Sequence, residues 1–378
     1  MAIIVLHATI LFLAFTVTIL LFKKITTTST LPPKSCLPPG PKPWPIIGNI
    51  SIMIRNKPFF RWVHDTMSKM GYEIFCIRLG SVHVIAVTSP EIACEFLKKQ
   101  DENYMARPTF LSAELASGGF SGTIFTTVGD QWRKMKRKDD LLDVLITLKD
   151  DQGNTLLTSE EIKAQILEIM VATIDNPSNA VEWAIAEMIN QPETLVRAVQ
   201  ELDQVVGKNR LVQESDLNNL NYIKACVKES FRLHPIVAFN LPHVSICDTM
   251  VAGYFIPKGS HILLSRPGLG RNSKIWNEPL RFNPERHLNY DGSHVILNDP
   301  DLHLLSFSIG RRGCPAVNLG STISIMLLAR LLQGFTWSPP PNTTCIKLLE
   351  AIDEMSLSNP LLALASPRLD ERLYACIT

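Results

Sequence analysis

The chain has 378 residues, of which 46% are hydrophobic and 19% charged, and its formal net charge is +1. That length supports a large core in one big domain or two smaller ones, and nothing in the near-neutral balance points to nucleic acid. Its 8 cysteines are scattered, with no pair in C-x-x-C spacing, which argues against a zinc site or redox dithiol and fits a reducing compartment.

Residues 1–24 are an almost unbroken apolar run closed by Lys23 and Lys24. At about 1.5 Å per residue this matches a bilayer core of about 30 Å. A single membrane anchor is expected, its lysine end cytosolic; a cleaved signal peptide is the alternative. Residues 31–49 hold most of a proline-rich stretch, which predicts a stiff extended hinge. Residues 58–71 predict a helix. Residues 74–79 and 83–88 predict two strands turning at Gly80-Ser81. Ser89 caps a following helix with Pro90 in its first turn. Residues 118–122, rich in glycine, read as a loop.

Thr158-Ser159-Glu160-Glu161 is a capping box that starts a long apolar helix. Pro177 is expected to kink or open that helix after Asp175-Asn176, because it removes one helical hydrogen bond and clashes with the preceding turn. Residues 222–234 predict another helix ended by Pro235, with Glu229 and Arg232 sharing a face. Residues 251–264 predict a hairpin turning at Pro257-Lys258-Gly259, and residues 334–378 a final hairpin.

The most informative stretch is Phe307-Ser308-Ile309-Gly310-Arg311-Arg312-Gly313-Cys314-Pro315-Ala316. The apolar run behind it reads as a helix, and Pro315 suits that helix's first turn. Cys314 would then lie at a helix N-terminus beside Arg311 and Arg312, a setting that favours the thiolate. Such a thiolate can ligate a metal, and on haem iron it pushes electron density onto bound dioxygen. A buried structural cysteine is the alternative.

Phe307, Gly310, Arg312 and Cys314 reproduce F-x-x-G-x-R-x-C, so the chain resembles the cytochrome P450 haem-thiolate monooxygenases; Ala316 stands where that family usually has Gly. The resemblance implies a mainly α fold with small β sheets over residues 50–378, preceded by a transmembrane helix. It makes Cys314 the proximal ligand of haem b iron. Arg312, Trp132, Lys136 and His243 would neutralise the haem propionates. Trp132 and Lys136 match the family's W-x-x-x-R with Lys in the Arg slot, which keeps the charge and loses the planar fork; a solvated basic face is the alternative for Lys136, and an exposed loop histidine for His243. Glu229 and Arg232 match E-x-x-R, and Arg286 lies in a P-E-R segment followed by His287 where Phe is more usual. These three would form a buried ion-pair triad beneath the cysteine loop. Phe239 and Asn240 would line the substrate side.

Asp175 matches the acid of the family's proton-delivery helix, and Asn176-Pro177 replaces the usual Thr. That pair resembles the plant amino-acid N-monooxygenases, the aldoxime-forming branch, and marks Asp175 and Asn176 as catalytic candidates. A kink carboxylate is the alternative for Asp175. Immediately after Arg137-Lys138 the sequence jumps to an acidic-apolar stretch that lies far downstream in the family. A block of several central helices is therefore expected to be absent near residues 137–139. The implied enzyme N-hydroxylates an L-amino acid of the valine, isoleucine, leucine or phenylalanine type. It takes electrons from an NADPH-dependent reductase docked near the basic run 134–138 and sits on the endoplasmic reticulum with its catalytic domain cytosolic. A truncated non-catalytic remnant and a carbon-hydroxylating monooxygenase are the alternatives.

Overall fold

The computed structural model describes residues 36–109, 157–289 and 293–375, with positions 16, 124, 149, 152–155 and 291 besides. The anchor at 1–24, the loop at 118–122, Trp132, Lys136 and the junction at 137–139 lie outside the described residues, Thr16 apart. Among the described residues no helix is long and apolar enough to cross a membrane.

Helices α1 (Ile50–Arg55) and α2 (Phe59–Met70) precede a hairpin of β1 (Ile74–Leu79) and β2 (Val82–Val87). Gly71 ends α2 in the left-handed region at φ 66, a conformation that glycine adopts without cost. The hairpin turns at Gly80-Ser81 as expected, its register running from Ile74↔Val87 to Leu79↔Val82, with the second strand one residue earlier than the sequence suggests. Helix α3 (Pro90–Cys94) is capped by the Ser89 side chain, which accepts the Ile92 N–H, and continues into a π turn at Glu95–Lys99.

Helix α4 (Ser159–Asn190) opens with the expected capping box: Thr158 Oγ1 accepts the Glu161 N–H at 3.2 Å, and Glu161 Oε2 accepts the Thr158 N–H at 2.7 Å. The break expected at Pro177 is absent, and α4 runs through it as one helix of 32 residues. Side chains knit the neighbouring carbonyls: Thr173 Oγ1 donates to Ile169 O at 2.7 Å, Asn176 Nδ2 to Ala172 O at 2.9 Å and Ser178 Oγ to Ile174 O at 2.7 Å. Pro177 itself is buried, and the turn after it enters the core through Ala180 and Val181. That packing holds the helix against the local penalty of about 3 kcal/mol.

Next come α5 (Pro192–Val205), α6 (Asn221–Leu233), β3 (His243–Val244), β4 (Thr249–Val251), β5 (Tyr254–Ile256), β6 (His261–Leu264) and α7 (Arg266–Gly270). The hairpin expected to turn at 257–259 turns earlier instead. Ala252 at φ 49 and Gly253 at φ 79 join β4 to β5, the pair of left-handed residues that a tight two-residue turn requires. The 257–259 turn sends β6 into a different sheet, of order β1-β2-β6-β3, where it runs parallel to β2. Helix α8 (Val317–Gly334) follows the cysteine loop, and β7 (Phe335–Ser338) pairs with β8 (Leu364–Pro367) across a long loop before α9 (Glu371–Tyr374).

The main core joins the C-terminal half of α4 to α5, α6 and α8 through Ala184, Met188, Leu202, Ile223, Cys226, Leu328 and Leu332. A second cluster, with Ile85, Val87, Phe96, Leu264 and Leu305, locks the sheet onto α3. The cysteine loop lies between these two bodies. By contrast, the N-terminal half of α4 exposes Leu167, Met170, Val171 and Ile174.

Candidate active site

The cysteine loop is shaped by its own backbone. Phe307 O accepts the Cys314 N–H at 2.8 Å, and Gly310 O accepts the Gly313 N–H at 3.0 Å. Gly310 sits at φ 76, and a Cβ there would stand 2.4 Å from Leu97 O, so the position admits only glycine. The Phe307 ring meets Phe231 edge-on at 5.7 Å. Gly320 of α8 makes room for it, since a Cβ there would be 3.1 Å from that ring.

The helix begins at Val317, so Pro315 stands in the turn before α8 rather than in its first turn. The charges beside the sulfur also differ from expectation. Arg311 turns outward to Glu102 and, at 3.4 Å, to Asp101. Arg312 turns its Nε to Met105 O at 2.8 Å. The cation acting on Cys314 is Arg266, at the start of α7. Burial pushes the Cys314 thiol above its ordinary value, and the Ala316 N–H and the Arg266 charge offset this only in part, so the protein setting alone does not favour the thiolate as expected.

A second group of cations gathers where residues 104–107 meet residues 241–244. Arg107 Nη1 donates to Leu241 O and Pro242 O, both at 2.9 Å. His243 Nδ1 donates to Tyr104 O at 2.8 Å, and Val244 N donates to Ala106 O at 3.0 Å. Burial and the Arg312 charge bring Arg107 down to about 9. Burial, then the Arg107 charge, brings His243 to about 3, and burial brings Arg312 to about 10. The Arg107 Nε is buried with no acceptor among the described residues. A desolvated corner in which the Arg107 and Arg312 guanidinium groups repel one another beside a neutral His243 fits a group that presents carboxylates, as the two propionates of a haem do. His243 is buried in β3 and does not lie in an exposed loop. Arg107 was not foreseen; no periodic pattern surrounds it in the sequence.

The expected triad is present and larger than expected. Glu229 accepts from Arg232 Nε at 2.7 Å and Nη2 at 2.8 Å, from Arg286 Nε at 3.1 Å and from the Asn283 N–H at 2.8 Å. His287 Nε2 adds a further bond at 2.7 Å. Burial pushes the Glu229 carboxyl up, but Arg232 and His287 outweigh it and hold the group at about 2. Both guanidinium groups lie over the Trp276 ring, at 5.3 and 5.8 Å.

The distal candidates are less gathered. Asp175 and Asn176 are exposed on α4, and the Asn176 amide is used on Ala172 O. Phe239 does not stand free to line a substrate cavity; it stacks on His64 at 5.1 Å and packs in the cluster of Val63, Met67 and Phe75. Asn240 is buried and splints β6, its Oδ1 accepting the Leu264 N–H at 2.7 Å, and its Nδ2 has no partner among the described residues.

A loop cysteine backed by a buried ion-pair network and neighboured by buried cations, in a mainly helical fold, defines a haem-thiolate enzyme. The Cytochrome P450 family model matches residues 38–138 and 135–363, and the chain belongs to that family. It is therefore a monooxygenase, with haem iron as its cofactor. The chain is 39% identical to a tyrosine N-monooxygenase of Sorghum bicolor, over 90% of this chain and 88% of the relative. It is equally 39% identical to isoleucine N-monooxygenase 1 of Lotus japonicus (89% of this chain, 91% of the relative) and to valine N-monooxygenase 2 of Manihot esculenta (89% of each). A zebra fish cytochrome P450 with abiraterone has the same fold at TM-score 0.72 and 19% identity, covering 83% of this chain and 100% of that one. The alignments to the three N-monooxygenases run over 490, 487 and 482 positions, more than the 378 residues of this chain. Those relatives thus carry residues with no counterpart here, and the two family-model matches meet at residues 135–138.

Proposed function

We propose that the chain is an amino-acid N-monooxygenase that converts an aliphatic or aromatic L-amino acid to its aldoxime. The observation that carries the reading is the pairing of the Cys314 loop with the buried Arg107, Arg312 and His243 corner. The amino-acid class rests on the similarity to tyrosine, isoleucine and valine N-monooxygenases.

Cys314 would hold the haem iron, and the bound haem would activate dioxygen for oxygen transfer to the substrate nitrogen. Phe307 and Gly310 shape the loop that presents the sulfur. Arg312, Arg107 and His243 would hold the propionates, with Trp132 and Lys136 joining them. A propionate at His243 would restore the imidazolium that burial and the arginines suppress. Glu229, Arg232 and Arg286 would keep the floor of the haem pocket fixed. Asp175 and Asn176 would pass protons from water, and the free Asn240 amide would face the substrate. Residues 1–24 would anchor the protein to the endoplasmic reticulum, with residues 31–49 as hinge. An NADPH-dependent reductase would supply electrons at the basic run 134–138. The segment absent relative to the longer relatives would lie near residues 137–139.

That segment supports a second reading, a remnant without catalysis. The exposed Leu167, Met170, Val171 and Ile174, next to exposed Asp175, favour it. One experiment separates the readings. The full chain is loaded with haem, reduced, and treated with carbon monoxide; it is then supplied with reductase, NADPH and single amino acids. A thiolate Soret band with oxime formation is expected. No band leaves the remnant. A band without oxime, together with hydroxylation of another substrate at carbon, makes it a carbon-hydroxylating enzyme.

A further inference from the structure

Arg266 has no role in the reading above, yet the fold holds it with unusual care. Ser265 N donates to Val87 O at 2.8 Å, and Arg266 N to Ala238 O at 3.0 Å. Ser265 Oγ accepts the Gly268 N–H at 2.8 Å and is itself held by His64 Nε2. Gly268 closes this corner, since a Cβ there would come within 2.5 Å of both Ser265 Oγ and Thr88 Cγ2. Pro267 follows at once and fixes its own φ. The backbone that carries Arg266 is therefore pinned to β2, to the 238 loop and to α2.

From that mount the side chain reaches the cysteine loop. Its Nη1 points to Ser306 O at 3.4 Å, one residue before Phe307, whose carbonyl holds the Cys314 N–H. Its Nε is buried with no acceptor among the described residues. Among the described residues no carboxylate acts on it there, and the one opposing group is the Cys314 sulfur. Burial accordingly pulls Arg266 down to about 10. A guanidinium remains charged even so, and one whose Nε is buried with no carboxylate partner among the described residues calls for a different anion.

We propose that Arg266 is the counter-charge of the proximal thiolate, a positioning residue that sets the reduction potential of the iron bound to Cys314. A fixed positive charge on the thiolate side favours the state with one more electron. Arg266 is half-buried as a whole, but its Nε is shut off from water, so the charge on that side is weakly screened. Removing the charge therefore makes the iron harder to reduce. The inference rests on haem binding through Cys314 as proposed above.

The test is a spectroelectrochemical titration of the haem-loaded full chain, with Arg266→Gln, Arg266→Met and Arg266→Lys beside the parent. Arg311→Gln serves as control, because that arginine faces Asp101 and Glu102. Midpoint potentials shifted to more negative values in the Gln and Met variants are expected, with Lys and the control close to the parent. Unshifted Gln and Met variants that hold haem overturn the proposal. If those two lose haem while Lys retains it, the charge is what the thiolate needs, which supports the proposal. Loss in all three, Lys included, overturns it in favour of packing. A parent chain that takes up no haem overturns the haem reading and this inference together, an outcome distinct from unshifted potentials.

Discussion

At the scale of single residues, the site is organised by how buried charges are answered. Glu229 illustrates it best, because His287 supplies a hydrogen bond where the resemblance led one to expect an apolar Phe. Removing one donor from a buried carboxylate costs about 1–3 kcal/mol. His287→Phe should lower the urea midpoint accordingly, and His287→Gln, which can still donate, should recover part of the loss. The titrating groups fix a pH dependence as well. Burial first, and then the Arg271 charge, lowers His64 from 6.5 to about 4. The unfolded chain therefore binds a proton below about 6.5 that the folded chain refuses until about 4. Stability is full above that window and falls as the pH drops through it. Glu229, held at about 2 against an ordinary 4.5, adds stability that is present above 4.5 and is lost on the way down to about 2. Urea denaturation across pH 4 to 6.5 should show this slope, and His64→Asn should make it shallower, leaving the share due to His243.

At the scale of elements, local chemistry was readable where it was self-contained. The Thr158 capping box, the Ser89 cap and the β1–β2 hairpin need only their own residues, and each stands as predicted. Tertiary packing overrode the rest. Pro177 predicts a break, but the turn after it is buried against α6 and α8, and side chains cover the neighbouring carbonyls. The turn at 257–259 was visible, yet nothing local says that β6 joins β2 rather than β5. Arg107 and Arg266 escaped notice for the same reason, because their meaning lies in carbonyls and a sulfur far away in the chain. The helix carries its own test. Pro177→Ala would restore a hydrogen bond to Thr173 O and remove the ring clash. It is expected to raise the melting temperature, by a free energy of up to about 3 kcal/mol less what the ring contributes to packing. A fall in melting temperature would show the buried ring to be worth more than the helical bond.

At the scale of the whole molecule, the parts around the cysteine loop are held by contacts distant in sequence that involve only described residues. Arg61 of α2 donates to Glu350 Oε2 at 3.0 Å and to Ala351 O at 2.6 Å, while Arg271 holds the other Glu350 oxygen. Five residues on, Met355 O accepts the Trp183 Nε1–H at 3.1 Å, and Trp183 lies flat on His234 at 3.8 Å. The 350–355 loop thus ties α2, near the start of the described chain, to α4 and α6 at the centre. Burial pushes the Glu350 carboxyl up, but the Arg271 and Arg61 charges hold it below its ordinary 4.5. The clasp is therefore complete above that value and opens as the carboxyl is protonated. Glu350→Gln keeps the size and loses the charge, which leaves two guanidinium groups sharing one neutral acceptor. The expected cost is about 1–3 kcal/mol. Hydrogen exchange gives the sharper reading: amides of α2 and of residues 350–355 should exchange faster in the variant. Those of α6 around Glu229 should stay protected, because their ion-pair network is separate. Faster exchange in α6 as well would mean that the molecule opens as one unit, and that the clasp and the pocket floor are not independent.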